Sequence, residues 1–251
     1  MLLTRLGVPK LWHEDVDVLW AYMRYVVQPV TLWLAPAAGY GAERIPRDGG
    51  AVLAANHFSG IDHPLIGCFS PRPIRYLAKA ELGEIPVLGE LLGWTDIVFI
   101  RRGEGDRDAL RRARDAVREG GFVGVHVEGT RQKFGYPGAV QTGALMIAMQ
   151  ERAPIVPCGL DTFGWSPRNR RRCAVVFGDP LRLDHLPRNR EGYGEAARLV
   201  SDEIVRLWRL AAQAAAGDLP PELPDGTKRV EPVRPGRRHA RLRAPQTPVS
   251  H

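Results

Sequence analysis

The residues best suited to chemistry are a histidine and an aspartate in the segment His57-Phe-Ser-Gly-Ile-Asp62, where four residues separate them. A histidine titrates near neutral pH, and a carboxylate beside it can hold its ring in one tautomer. Such a pair can remove the proton from a hydroxyl nucleophile. The same spacing also occurs in ordinary loops, where the histidine bonds a backbone carbonyl and an aspartate before a proline caps a helix. The pair therefore needs a second motif to support a catalytic interpretation.

That second motif is Glu128-Gly129-Thr130-Arg131, which follows an apolar run typical of a strand. Ligand sites of α/β sheets form at the carboxyl ends of strands. A glycine lets the backbone approach a ligand closely, and an arginine can hold a phosphate through two parallel hydrogen bonds. Arg102 and Lys79 could add positive charge, and Glu128 could anchor the loop or a substrate hydroxyl. The alternative for each cation is a solvated surface side chain.

With the blocks Phe99-Ile-Arg-Arg102 and Ile155-Val-Pro157, the two motifs resemble the four ordered blocks of the glycerolipid acyltransferases, in particular the bacterial 1-acyl-glycerol-3-phosphate acyltransferases. The resemblance extends from about residue 45 to residue 183. It implies an enzyme that moves a fatty acyl group from an acyl thioester to the free hydroxyl of a lysophospholipid. The donor would be acyl-CoA or an acyl carrier protein thioester, with no further cofactor.

The resemblance also assigns roles to residues. It implies that His57 is the general base and that Asp62 orients it. Asn56 or a nearby backbone N–H could support the tetrahedral oxyanion. The substrate-binding residues that it implies are Arg131, Glu128, Gly129, Thr130, Arg102 and Lys79.

Four residues depart from the usual pattern of this family. His126-Val127 stands where Phe-Pro commonly precedes the glutamate, Gln132 stands where serine follows the arginine, and Arg101 stands where aspartate is common. The charged anchors are intact, so the expected acceptor is 1-acyl-glycerol 3-phosphate, with phosphatidic acid as the product. A different lysolipid or glycolipid acceptor is the first alternative. A non-catalytic lipid-binding protein of the same fold is the second, and the presence of both His57 and Asp62 argues against it.

A metal centre is a further chemical alternative, formed by His57, His63, His126, Asp62 and Glu128. Zinc sites need three or four converging ligands, commonly at compact spacings in the sequence. None of those spacings occurs in this chain. We therefore expect no metal, and we expect His126 to be a strand histidine that packs beside the site.

Composition restricts the partners. The chain carries a formal net charge of +7, which fits anionic lipid, phosphorylated substrates or nucleic acid. No zinc-finger, RNA-recognition or helix-turn-helix pattern is present, so nucleic acid is not an expected partner. Cys68, Cys158 and Cys173 are scattered through apolar runs and are expected to be buried thiols in a reducing compartment.

Between residues 41 and 217, short apolar strands alternate with helical patterns, which predicts an α/β acyltransferase domain. We expect a mostly parallel sheet flanked by helices. The predicted strands are 51–55, 74–78, 97–100, 122–127, 155–158 and 174–177, and the predicted helices are 106–119, 143–151 and 195–216, with a further helix beginning near Asp62. Residues 218–251 are rich in proline and arginine with few apolar side chains, and we expect them to be disordered.

Residues 1–40 are predicted to form an N-terminal helical segment that docks on a membrane. Its stretch 18–38 is apolar and aromatic but is interrupted by Arg24, Gln28, Pro29 and Pro36. A clean transmembrane helix needs roughly 20 mostly apolar residues. A helix or broken helical pair in the headgroup region is therefore favoured, and an ordinary core helix is the alternative. We expect no cleavable signal sequence and a location at the cytoplasmic face of the plasma membrane.

Overall fold

The computed structural model describes residues 23–79, 98–100, 107–217, 227 and 229–230; for residues 23–24, 77–79, 98–100 and 230 it describes the backbone alone. One sheet has the strand order β4-β3-β5-β2-β6-β7-β1-β8. Its strands are β1 Ala37–Tyr40, β2 Ala51–Ala55, β3 Arg75–Lys79, β4 Val98–Ile100, β5 Phe122–His126, β6 Ile155–Asp161, β7 Cys173–Phe177 and β8 Arg229–Val230. The helices are α1 Gln28–Leu34, which follows a π-helical turn Met23–Val27, then α2 Asp62–Phe69, α3 Arg107–Arg118, α4 Thr142–Glu151 and α5 Arg190–Ala216.

The sheet is mostly parallel, as predicted. Five strand pairs are parallel, and the pairs β6–β7 and β1–β8 are antiparallel. The central strand β2 is apolar at every position and buried throughout, because helices cover both faces of the sheet. Ala51 and Leu53 belong to the core beneath α2, whereas Val52 and Ala54 belong to the core beneath α3 and α4. The predicted α/β class is therefore confirmed.

The direction of the strands decides which loops meet. Ala55 pairs with His126 of β5 and Cys158 of β6, so β2, β5 and β6 all end at one edge of the sheet. We call this the carboxyl edge. Strand β7 runs antiparallel to β6 and β1 runs parallel to β7, so both of them begin there. Helix α1, which ends just before β1, therefore lies at the same edge as the loops that follow β2, β5 and β6.

Two strands were not predicted from the sequence. Residues 37–40, assigned above to the N-terminal segment, form β1 inside the sheet. Small residues allow this close packing, since a Cβ on Gly39 would lie 2.4 Å from the ring of Phe69. Within the tail predicted to be disordered, Arg229–Val230 pair with β1, whose outer edge offers unpaired backbone groups. Thr227 accepts a hydrogen bond from Arg44 nearby.

The remaining elements agree with the sequence analysis to within a few residues, except that α5 begins at Arg190 and not near residue 195. Asn189 explains this start, because its side chain accepts a hydrogen bond from the backbone N–H of Gly192 and caps the helix. Cys68, Cys158 and Cys173 are buried thiols that form no disulfide with one another. Among the helices in the described ranges, none has both the length and the apolar character needed to cross a bilayer.

The packing of α5 on β6 yields a stability prediction. A Cβ built on Gly159 would lie 2.2 Å from the backbone nitrogen of Trp208. Gly159→Ala must therefore push α5 away from the sheet, and we expect it to lower the free energy of unfolding by about 3 kcal/mol. Gly194→Ala, in α5 where an added Cβ would have no neighbour within 4 Å, should be neutral or stabilising by up to about 1 kcal/mol. Urea unfolding measures both variants, and equal stabilities would contradict the close packing.

Candidate active site

The loop that carries His57 is fixed by the residue before it. Asn56 is fully buried at the end of β2. Its amide nitrogen donates to the carbonyl of Leu160 over 3.0 Å, and its amide oxygen accepts from the N–H of Leu160 over 2.8 Å. This two-way contact joins the ends of β2 and β6. The contact uses the amide oxygen and one of the two amide N–H groups, so Asn56 is a structural link between the two strands, and its role as an oxyanion donor stays a prediction.

His57 and Asp62 meet as expected. The ring atom Nδ1 of His57 lies 2.7 Å from Oδ2 of Asp62. The same carboxylate oxygen accepts hydrogen bonds from the backbone N–H groups of Phe58 at 2.8 Å and Ser59 at 2.9 Å. A carboxylate can only accept, so Nδ1 carries the proton and Nε2 is left with a lone pair. A histidine held in this tautomer can take a proton from a hydroxyl group.

The second oxygen of Asp62 is also engaged. Oδ1 accepts hydrogen bonds from the hydroxyl of Ser59 at 2.9 Å and from the hydroxyl of Thr162, which follows β6. Burial alone would raise the pKa of this fully buried carboxyl, but the hydrogen bonds from His57, Thr162 and the Ser59 backbone outweigh it and lower the pKa to about 2. Asp62 is therefore an anion at any physiological pH.

One alternative left open for Asp62 was wrong. The sequence suggested that it caps α2, but Asp62 is the first residue of that helix, and the capping position is Ile61, with no side-chain cap. The carboxylate instead turns back towards the preceding loop, because the N–H groups of residues 58 and 59 surround it there. Thr162 was missed, since it lies a hundred positions away and no local pattern links it to the motif.

Two further histidines pack around His57. The rings of His57 and His126 are stacked, with centroids 4.1 Å apart and planes 14° from parallel. The ring of His63 stands edge-on to both of them, at 5.4 Å from His57 and 4.4 Å from His126. Tyr76 closes the group at 4.7 Å from His63. His126 thus packs beside the site, as its position in the sequence led us to expect.

Both neighbouring histidines are neutral at pH 7. Burial, with the influence of His57, lowers the pKa of His63 to about 4. Burial and the nearby His63 and His57 hold the pKa of His126 well below its usual range. Nδ1 of His126 lies 2.8 Å from the carbonyl oxygen of Asn56 and must be its protonated nitrogen. Its buried Nε2 has no hydrogen-bond partner among the described residues.

The geometry of the three histidines does not suit a metal ion. One ring nitrogen from each of them lies within 4.8 Å of the others, which is close enough for a metal site to be considered. A metal binds in the plane of each imidazole that ligates it, along the nitrogen lone pair. The nearly parallel planes of His57 and His126 do not intersect near the cluster, so these two lone pairs cannot point at one ion. The stacking instead fits a packed support for the His57 ring.

The second motif lies against the first. Gly129 adopts a left-handed conformation with φ of 72°, which turns the chain at the end of β5. Its N–H donates to the carbonyl of His126, and the N–H of Gln132 donates to the carbonyl of His57 over 2.8 Å. This last bond fixes the loop to His57, the candidate base. Thr130 and Arg131 are exposed on the loop.

Glu128 anchors this loop, which is one of the two roles considered for it. The side chain is buried, and its Oε1 accepts a hydrogen bond from the N–H of Gly138 over 3.0 Å. Oε2 is buried and has no hydrogen-bond partner among the described residues. Burial raises the pKa of Glu128 to about 7, although backbone N–H groups of Gly138 and His57 act in the opposite direction.

For two of the expected binding residues, the structure describes no side-chain position. Arg102 lies outside the described residues. Lys79 is the last residue of β3, at the carboxyl end of a strand that neighbours β5, and its backbone alone is described. Their roles in binding stay predictions.

Comparison with known proteins gives consistent results. A family model described as acyltransferase matches residues 38–161, a span that contains both motifs. A 1-acyl-sn-glycerol-3-phosphate acyltransferase of Bacillus subtilis is 28% identical over 59% of this chain and 76% of that protein. A lyso-ornithine lipid O-acyltransferase of Pseudomonas aeruginosa is 36% identical over 30% of this chain and 29% of that protein. The crystal structure of the 1-acyl-sn-glycerophosphate acyltransferase PlsC from Thermotoga maritima has a TM-score of 0.65 at 25% identity, covering 83% of this chain and 86% of that one.

The neutral histidines predict how stability depends on pH. The pKa of His63 in the folded protein is below its ordinary value, so the unfolded chain binds the proton more readily between about pH 6.5 and pH 4. The free energy of unfolding should therefore be highest above this window and fall as the pH drops through it. His63→Gln should reduce the fall in the free energy of unfolding between pH 7 and pH 4.5 by about 2 kcal/mol.

Urea unfolding at the two pH values measures this difference. His185→Gln, which removes an exposed histidine, is the matched control and should leave the pH dependence as it is in the wild type. A His63→Gln protein that loses stability as steeply as the wild type would show that His63 is not held neutral by the fold.

Proposed function

We propose that this chain, which belongs to the glycerolipid acyltransferase family, acylates 1-acyl-glycerol 3-phosphate at its free hydroxyl and forms phosphatidic acid. The acyl group comes from a thioester, either acyl-CoA or acyl carrier protein, and no other cofactor takes part. The observation that carries the proposal is the 2.7 Å contact between His57 and the buried Asp62 carboxylate. The relatives named as 1-acyl-sn-glycerol-3-phosphate acyltransferases support the choice of acceptor.

In the proposed reaction, Nε2 of His57 takes the proton of the acceptor hydroxyl while the hydroxyl oxygen attacks the thioester carbonyl. The tetrahedral intermediate then collapses, the carbon–sulfur bond breaks, and the leaving thiolate receives the proton from the imidazolium. Asp62 stabilises that imidazolium and keeps its ring oriented. No covalent acyl-enzyme is formed in this reaction. The chain contributes the general base and holds its ring in a fixed orientation.

The histidines around His57 support this assignment. Because the pKa values of His63 and His126 are lowered, the proton that leaves the hydroxyl stays on His57 and does not pass to a neighbouring ring. Only His57 contacts the Asp62 carboxylate through a ring nitrogen among the described residues. One imidazole of the three is thereby set apart as the base.

Arg131 is the proposed partner of the acceptor phosphate. It is exposed on the loop whose Gln132 N–H bonds the carbonyl of His57, so the cation lies on a loop attached to the base. An arginine is suited to a phosphate monoester because two of its N–H groups can donate in parallel. In this proposal, Arg102 and Lys79 add positive charge, and Gly129 and Thr130 shape the loop.

The reaction is proposed to take place at the cytoplasmic face of the plasma membrane, where the lysophospholipid is found in the bilayer. The chain would be a peripheral or monotopic protein that meets the thioester donor from the aqueous side. Nucleic acid is not proposed as a partner.

A different acceptor is the second candidate, and a specific observation favours it. The Pseudomonas aeruginosa relative is named for a lyso-ornithine lipid, in which the headgroup is an amino acid. In this chain Gln132 follows the arginine where the family commonly has serine, next to the proposed phosphate-binding residue. Family membership supports an enzyme over a non-catalytic lipid-binding protein.

Loss of the base gives the first test of the mechanism. We expect His57→Ala to lower kcat by about 10²–10⁴-fold, because it removes a positioned general base. The free energy of unfolding should change little, since Asp62 keeps its bonds to Ser59, Thr162 and the backbone. An acyl-transfer assay in detergent, beside unfolding in urea, measures both effects. His185→Ala is the control for an exposed histidine, and full activity in His57→Ala would falsify the mechanism.

The acceptor is tested through Arg131. Arg131→Ala should lower kcat/KM for lysophosphatidic acid, because a charged phosphate loses its partner. The expected loss of transition-state stabilisation is about 2–4 kcal/mol. Arg131→Lys should restore only part of this, since an ammonium group cannot form the two-pronged contact. Arg182→Ala, at the opposite edge of the sheet, is the matched control.

The comparison substrate is a lysolipid without a phosphate monoester. We expect the wild type to prefer lysophosphatidic acid over this lysolipid, and we expect Arg131→Ala to lose that preference. A wild type that prefers the other headgroup, with Arg131→Ala harming both substrates equally, would assign the chain to the second candidate acceptor.

A further inference from the structure

The exposed large apolar side chains of the described residues fall into two groups. One lies on α1 and the turn before it, and the other lies on two loops next to the active site. The first group is Tyr25, Val26, Val30 and Trp33, and the second is Phe134, Tyr136 and Phe163. The loops follow β5 and β6, and α1 ends before β1, so both groups lie at the carboxyl edge of the sheet. Together we call them the aromatic rim.

Phe134 is the most exposed member, with 93% of its surface open to solvent. Its neighbours are held in place. Gly135 lies against the ring of Phe163, because a Cβ built on it would be 2.8 Å from that ring. The ring of Tyr136 packs edge-on against Trp208 of α5 at 5.1 Å. Phe134 therefore projects from a loop that is fixed on both sides.

The rim is continuous from the Phe134 loop to α1. The ring of Phe163 meets Phe58, the residue after the base, at 5.9 Å. Further along the same loop, Trp165 donates a hydrogen bond from its ring to the carbonyl of Leu34 over 3.1 Å. Arg170 donates to the carbonyl of Trp33 over 2.8 Å, and its guanidinium lies 4.6 Å from the centre of the Trp33 ring. One surface thus runs past the His57 site.

The charge on this surface is positive. Arg131, Lys133 and Arg168 are exposed on the two loops, and none of them forms an ion pair with another described residue. The acidic residue at the end of β6, Asp161, is already paired with Arg171 at 2.6 Å. Aromatic rings mixed with cations match the headgroup region of an anionic bilayer, where rings are buried and cations meet lipid phosphates.

We propose that the loop 133–136 enters the headgroup region of an anionic bilayer and, together with α1, sets the mouth of the His57 site against the lipid. The inference rests on the proposed reaction at a membrane surface and adds a contact beyond the N-terminal segment. A lysolipid hydroxyl lies close to the headgroups, so this placement brings it to His57 without removing the acyl chain from the bilayer.

The test is binding of the full chain to vesicles of phosphatidylcholine, with and without phosphatidylglycerol, measured by co-sedimentation. Phe134→Ala should weaken binding to the anionic vesicles by about five- to tenfold, because one large apolar side chain no longer enters the interface. Phe134→Leu should keep most of the affinity. Lys133→Gln should weaken binding to the anionic vesicles only, and by more than Arg182→Gln, the matched loss of a cation at the opposite edge.

The vesicle measurement separates this inference from the proposed function. Phe134 is almost fully exposed, so Phe134→Ala should fold normally and should keep wild-type turnover of lysophosphatidic acid in detergent micelles. If Phe134→Ala binds anionic vesicles as tightly as wild type, the loop is not a lipid contact and the rim serves another partner, such as a protein. If wild type turns over no lysophosphatidic acid while Phe134→Ala still weakens binding, the docking surface stands and the proposed function fails.

Discussion

The structure of the site depends on one buried anion. Asp62 lies at the start of α2 with no exposed surface, and its two oxygens accept five hydrogen bonds from His57, Phe58, Ser59 and Thr162. A buried carboxylate without such partners would be too costly for the fold. These contacts therefore fix the loop after β2, the start of α2 and the end of β6 relative to one another. The histidine is oriented as part of the same arrangement.

Backbone hydrogen bonds join the loop of the second motif to the loop of the first. Val127 and Gln132 donate to the carbonyls of Ala55 and His57, and Gln141 donates to Val127. These bonds bring the loop after β5 against the loop after β2 without using either functional side chain. Arg131 is left exposed on a fixed backbone. The spacing between His57 and the loop of Arg131 is therefore set by these backbone hydrogen bonds.

Much of this could be predicted from the sequence, and the failures have physical causes. Short apolar runs identified β2, β5, β6 and β7, and the ordered motifs identified His57 and Asp62. Strand β1 was missed because Ala37, Ala38 and Gly39 lack the residue types that mark strands, although the small side chains are what its packing requires. The roles of Thr162 and Asn56 arise from contacts across about a hundred positions, which no local pattern reports. Phe134 was also overlooked, since its exposure depends on Tyr136 and Phe163 holding the loop.

The double contact between Asn56 and Leu160 joins residues 104 positions apart, and it has a consequence for how the protein folds. Helix α2 and its loop can form locally, but Thr162 reaches Asp62 only after β2 and β6 have paired. Contacts between residues distant in the chain form slowly, because a long loop must close first. A nascent chain that has not yet reached β6 therefore has the histidine and the aspartate but lacks the support that aligns them. The full set of hydrogen bonds to Asp62 is therefore completed only when β6 has joined the sheet.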